Sequence, residues 1–144
     1  MRFRSIIEST ETRWVILIRL MVGAVFLSEG IQKFLYSADL GVGRFVKIGM
    51  PFPQVTAPFV GVIEIVCGTL ILLGLLTRLA AIPLIIDMLV AISSTKIPIL
   101  LKSGFWAMAH ESRTDFSMLL GSIFLLITGA GLWSIDARLF TRDR

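Results

Sequence analysis

The sequence predicts an all-α integral membrane protein, a four-helix bundle with interfacial loop segments, on three observations. Of the 144 residues, 56% belong to the AVILMFWYC set and only 17% are charged, with a mean hydropathy of +0.87; a soluble domain holds about 45–50% apolar residues even with glycine counted. The apolar residues gather into four runs of roughly 20, the length that crosses a hydrocarbon core of about 30 Å. What remains outside those runs is too little for a separate soluble domain of ordinary size. The chain therefore reads as one membrane domain over residues 1–144.

The first span covers about residues 14–34. Arg2, Arg4 and Arg13 precede it in the manner of a signal peptide, but the run is long, carries Arg19, Glu29 and Lys33, and has no A-x-A-like cleavage site, so a retained helix is expected. Glycines and prolines punctuate residues 35–57 around Arg44-Phe45-Val46-Lys47-Ile48, an amphipathic piece expected at the interface. The second span covers about 58–76, with Pro58 in the first turn, where its missing N–H has no partner to lose. A tight turn at Thr77 and Arg78 leads into the third, about 79–97, which tolerates Pro83 near its start. Residues 98–113 set Leu100, Leu101, Phe105 and Trp106 beside Lys102, the composition of an interfacial or re-entrant segment. The fourth span covers about 115–133, where Gly129, Gly131 and Ser134 mark its end.

Four spans put both termini and the Thr77-Arg78 turn on one side. Arg2, Arg4, Arg13, Arg78, Arg138, Arg142 and Arg144 lie there, against Arg44, Lys47, Lys96, Lys102 and Arg113 opposite, so the termini are expected in the cytoplasm. The net charge of +4 is scattered singly around apolar runs, which points to lipid headgroups as partner and away from nucleic acid. With Cys67 and His110 as the sole residues of their kinds, no disulfide, CxxC pair, bis-histidine haem or multi-histidine zinc site is expected within the chain. Cys67 reads as a small buried apolar residue. An electron carrier, if one is used, comes from outside and is lipid-soluble.

Arg19, Glu29, Lys33, Glu64 and Asp87 fall inside the spans. Each costs roughly 2.5–3.5 kcal/mol at the bilayer centre, so they must face one another or a polar cavity. Counting helix rise, Arg19 lies about five residues and Asp87 about eight from the terminal side, and these two are expected as a structural charge pair. Glu29 and Lys33 stand one turn apart in the favourable order. Glu64 enters from their side, about six residues deep, near the level of Glu29. The five charges sum to minus one. Glu64 has no basic residue within a turn or two, and desolvation disfavours a charged carboxyl, so Glu64 is expected to keep a proton. A protonatable carboxyl beside a Glu-Lys pair suits a quinone head group, whose carbonyls accept hydrogen bonds and whose reduction takes protons. The plainer reading makes these charges the glue of the bundle.

Small residues mark the packing faces: Gly23 and Gly30, Gly61 and Gly68 flanking Glu64, Pro83 and Ala91 flanking Asp87, Ser117 and Gly121. His110, Glu111, Arg113 and Asp115 cluster before the fourth span. They form a helix cap around Thr114 or Asp115, or His110 and Glu111 relay protons at the mouth of the Glu64 pocket.

Three motifs resemble the DoxX family of small bacterial membrane proteins. They are Arg19, Gly23, Phe26 and Gly30-Ile31-Gln32-Lys33-Phe34; Glu64 and Gly68 followed by Gly74, Thr77-Arg78 and Ala80-Ala81; and Arg113-Thr114-Asp115-Phe116 through Gly129-Ala130-Gly131 to Trp133-Ser134-Ile135-Asp136. The resemblance implies a four-helix membrane bundle whose patterned polar positions are Arg19, Lys33, Glu64 and Arg78. It also implies an association with quinol oxidases, with quinone-coupled thiosulfate oxidation, or with membrane complexes that handle oxidative and thiol stress. The expectation is thus a small subunit of a redox complex in the bacterial inner membrane. It would bind a quinone or similar ligand at Glu29, Lys33, Glu64, His110 and Glu111, with no covalent cofactor, haem or metal in this chain. A non-enzymatic scaffold or assembly subunit is the rival. A small-molecule carrier is the weaker alternative, because four spans allow alternating access only through oligomerisation, which keeps a homo-oligomer open.

Overall fold

In the computed structural model, residues 12–140 are described, and among them every regular element is helical; Arg2, Arg4, Arg142 and Arg144, counted above for orientation, lie outside. Helix α1 spans Val15–Leu35, the short α2 Val42–Lys47, α3 Pro53–Leu73 and α4 Thr77–Ala91. A π-helical turn, Ile92–Lys96, joins α4 to α5, Ile97–Glu111; α6 (Arg113–Thr128) and the short α7 (Ile135–Phe140) follow. Helices α1, α3, α4 and α6 pack in a closed ring, α1 on α3, α3 on α4, α4 on α6 and α6 on α1, with α2 lying against α3. Val22, Phe26, Ile71, Leu84 and Leu125 fill the centre, while Leu17, Phe59, Val66, Ile86 and Ile127 face outward. Three helical stretches are long and apolar enough to cross a membrane: Val15–Leu35, Pro53–Leu73 and Thr77–Glu111. The fourth wall, α6, has 16 residues, about 24 Å of helix.

Lipid tails give apolar helices no hydrophobic reason to associate, so close backbone approach has to hold them. The α1–α3 contact shows this. A Cβ added to Gly30 would lie 2.7 Å from Gly61 O; one added to Gly68 would lie 2.8 Å from Leu27 N and 3.0 Å from Gly23 O. The two glycine pairs therefore meet antiparallel, 23 against 68 and 30 against 61. Gly121 similarly seats α6 on Val22 of α1.

Several boundaries differ from the sequence reading: the turn expected at Thr77-Arg78 falls at residues 74–76, with Thr77 already opening α4. Helix α3 begins at Pro53, so Pro58 is interior to it rather than in its first turn; Phe52 starts the helix from a left-handed conformation (φ 49°). The third helical run continues past residue 97 through the π turn. Residues 98–111, read as a loop, are helical with a break at Gly104 (φ 82°), and none of α5 is buried. Leu101 and Trp106 are about as exposed as the chain allows, at 80% and 83%, which keeps the expected interfacial character in helical form. The fourth helix ends at Thr128, and residues 129–134 run irregularly along the base of the bundle. There Leu132 N donates to Thr12 O and Asp136 N to Gly74 O. The start of α1, the α3–α4 turn and the C-terminal segment thus share one end, as expected of four antiparallel helices.

Candidate functional site

At the other end, the helices enclose a cavity of about 320 Å³. The second half of α1 contributes Glu29 and Lys33, α3 contributes Glu64, and α4 contributes Asp87. Each is placed by the helix that the glycine contacts hold: Glu64 sits between Gly61 and Gly68 on the face of α3 that meets α1. Lys33 Nζ lies 2.6 Å from Glu64 Oε2, with both side chains nearly buried. Asp87 is drawn to the same point. Its Oδ2 is buried without a hydrogen-bond partner in the chain, and its carboxyl lines the same cavity as that of Glu64. One ammonium and two acids thus share the cavity, and a carboxyl there is chemically able to take up or release a proton.

A second ion pair borders the same cavity. Lys96, at the end of the π turn, sets Nζ 2.9 Å from Asp115 Oδ2 in the first turn of α6. Phe26, Met88 and Met118 supply apolar wall between the polar groups. Glu29, half-buried, and Glu111, exposed, also line the cavity. His110 lies outside the lining and is exposed; its carbonyl accepts a 2.5 Å hydrogen bond from Arg113 Nη1.

Arg19 and Asp87 do not pair. Arg19, 2% exposed, donates to four backbone carbonyls: Nε to Ile71 O at 2.9 Å, Nη2 to Leu72 O at 2.7 Å, and Nη1 to Ala130 O at 3.2 Å and Trp133 O at 2.6 Å. Its electrostatic partner is Asp136. The Asp136 carboxylate in turn accepts from Leu76 N at 2.8 Å and Thr77 N at 3.1 Å, capping the start of α4. The expected pairing fails on depth. Helix α4 starts at Thr77, so Asp87 lies about 15 Å along it, whereas Arg19 lies about 6 Å into α1.

A family model described as DoxX matches residues 14–97. The chain belongs to the DoxX family. It is 60% identical over 134 residues to the uncharacterized membrane protein Rv3486 of Mycobacterium tuberculosis, covering 89% of this chain and 82% of that protein. It is 30% identical over 125 residues to "Putative oxidoreductase CatD" of Bacillus subtilis, covering 87% and 86% respectively. No solved structure matches.

The DoxX match takes in Lys33, Glu64, Asp87 and Lys96 but stops short of Glu111, Asp115 and Asp136. Of the ligand-site residues expected from the sequence, the fold gathers Glu29, Lys33, Glu64 and Glu111 around the cavity and leaves His110 off it. Lys33 turns to Glu64 across the α1–α3 contact rather than to Glu29 on its own helix. Sequence reasoning missed the cavity role of Asp87, Lys96 and Asp115. For Lys96 and Asp115 a signal was present, a basic residue ending one apolar run and an acid opening the next.

Proposed function

We propose that this DoxX protein binds a quinone, or a similar lipid-soluble ligand with a polar head, in the cavity, and serves as a small subunit of a membrane redox complex. The observation that carries this reading is the Lys33–Glu64–Asp87 cluster on a cavity of about 320 Å³, a size within the range of small-molecule sites. An ammonium with donors to spare can hydrogen-bond a ring carbonyl. The carboxyls of Glu64 and Asp87 line the same cavity and can pass a proton to a head group that takes protons as a partner protein supplies electrons. Glu29 and Glu111 lead from the cluster toward water and replace His110 as the relay. The oxidoreductase name of the Bacillus relative agrees with a redox setting.

In this reading the protein sits in a bacterial inner membrane with its termini in the cytoplasm and the cavity in the outer half. Lys96 is buried in the bundle, so the basic count of the cavity side falls to Arg44, Lys47, Lys102 and Arg113, and the bias toward cytoplasmic termini grows.

Native mass spectrometry of the gently purified chain tests the proposal. A quinone mass is expected on the protein, directly or after adding back a quinone in excess. A chain that stays bare after add-back contradicts it and favours the scaffold reading, in which the same charges only hold helices together.

A further inference from the structure

The longest helical run of the chain has a π-helical turn at Ile92–Lys96, and its effect falls on Lys96. Asp87 lines the cavity. At about 100° per residue, an unbroken α-helix carries the ninth residue beyond Asp87 through about 900°, to the side facing away from it. A π turn admits one residue more, which takes about 100° off that angle. Lys96 accordingly lines the same cavity as Asp87 and is only 8% exposed. A lysine near the end of a span ordinarily runs its stem along apolar surface to the headgroups. Here the helix is distorted and the ammonium is turned inward onto Asp115, against both tendencies.

The cavity thus holds two polar stations, each an ammonium on a carboxylate: Lys33 with Glu64 at 2.6 Å and Lys96 with Asp115 at 2.9 Å. Asp87 lines the same cavity as both pairs, so the stations are neighbours. Met88 and Met118 give them an apolar wall. A ligand with one polar head occupies one station and gives the second buried lysine nothing to do. Resting on the quinone reading above, we infer that Lys96 is a second head-group anchor: the site takes a ring with carbonyl oxygens on two opposite edges, one received at Lys33 and the other at Lys96. Asp115 and the π turn are the positioning elements.

The test is equilibrium dialysis of the detergent-purified full chain against two probes, a decyl-substituted benzoquinone and an equally substituted ring bearing a single ketone. Wild type is compared with Lys33→Gln, Lys96→Gln and the double variant Lys96→Met with Asp115→Leu. The double variant removes the pair as a unit, leaving no lone buried charge; such exchanges are commonly neutral for stability, and thermal unfolding verifies its fold. The dione is expected to bind wild type and to lose at least about tenfold in affinity, about 1.4 kcal/mol, in both Lys96 variants. The single-ketone ring, which needs one station, is expected to change by about twofold or less in them. Dione binding that falls in Lys33→Gln but is unchanged in both Lys96 variants overturns the second anchor alone and makes Lys96–Asp115 a pin between α6 and the π turn. Wild type that takes up neither ring overturns the quinone reading and this inference together.

Discussion

Two groups of charge are buried in this bundle, about 21 Å apart along α1, and they are built on opposite plans. Around Arg19 every hydrogen bond goes to backbone: the guanidinium ties the last turn of α3 to the segment at residues 130–133, and Asp136 caps α4. Several of these are groups that a helix end or an irregular segment leaves short of partners, and they are buried where the bundle has to satisfy them itself. Around Lys33 the charged groups meet each other and a cavity, and a carboxyl oxygen of Asp87 is left without a donor from the chain. Buried charge that ends on backbone closes a fold. Buried charge that faces space, with bonding capacity left over, is available to a ligand.

The sharpest way to break this comparison is Arg19→Met. Four hydrogen bonds disappear, and the carbonyls and Asp136 lose their cation in a dry site, so a loss of at least about 3 kcal/mol is expected, seen as a large drop in thermal unfolding temperature in detergent. Arg19→Lys should not restore it, because a point-like ammonium cannot reproduce a planar fork that reaches four carbonyls. A variant that unfolds near the wild-type temperature would show that Arg19 is not the closure. A smaller effect is expected from Gly68→Ala, whose methyl group would meet the backbone at Leu27 and Gly23 and push α1 from α3. About 1–3 kcal/mol of destabilisation is expected. Because the same contact brings Lys33 to Glu64, quinone binding should weaken with it, measured on protein held well below its unfolding temperature.

The class of the fold was plain from the sequence, since composition and run length report the solvent directly. So was the ring of small residues, because Gly23, Gly30, Gly61 and Gly68 repeat at helical spacing. The partners of the charges were less plain. Depth counting placed Arg19 level with Asp87, but an arginine can satisfy itself on carbonyls, and a sequence does not show which carbonyls a tertiary contact leaves bare. Asp136 enters the sequence reading only as a motif residue, because it lies beyond the last span. Lys96, at the end of the third span, counts in the sequence as one of the basic residues at that membrane surface, because nothing in Ile92-Ser93-Ser94-Thr95-Lys96 announces a π turn and without that turn it faces outward. His110 drew attention through its chemistry alone; at the exposed end of α5 it lies off the cavity that its neighbour Glu111 lines.

The central claim, that the Lys33–Glu64–Asp87 end is a binding site and the Arg19 end a closure, is tested most directly by titrating a short-chain quinone into wild type and Glu64→Gln while recording the unfolding temperature of each. Glutamine keeps the shape of Glu64 and removes its charge and its exchangeable acid proton. The account predicts saturable binding to wild type, at least about tenfold weaker binding to Glu64→Gln, and a variant that stays folded and loses less stability than Arg19→Met, because Asp87 remains on the cavity as a counter-charge to Lys33. Equal quinone affinity in the two proteins, or a variant that loses its fold as Arg19→Met is expected to, would contradict it.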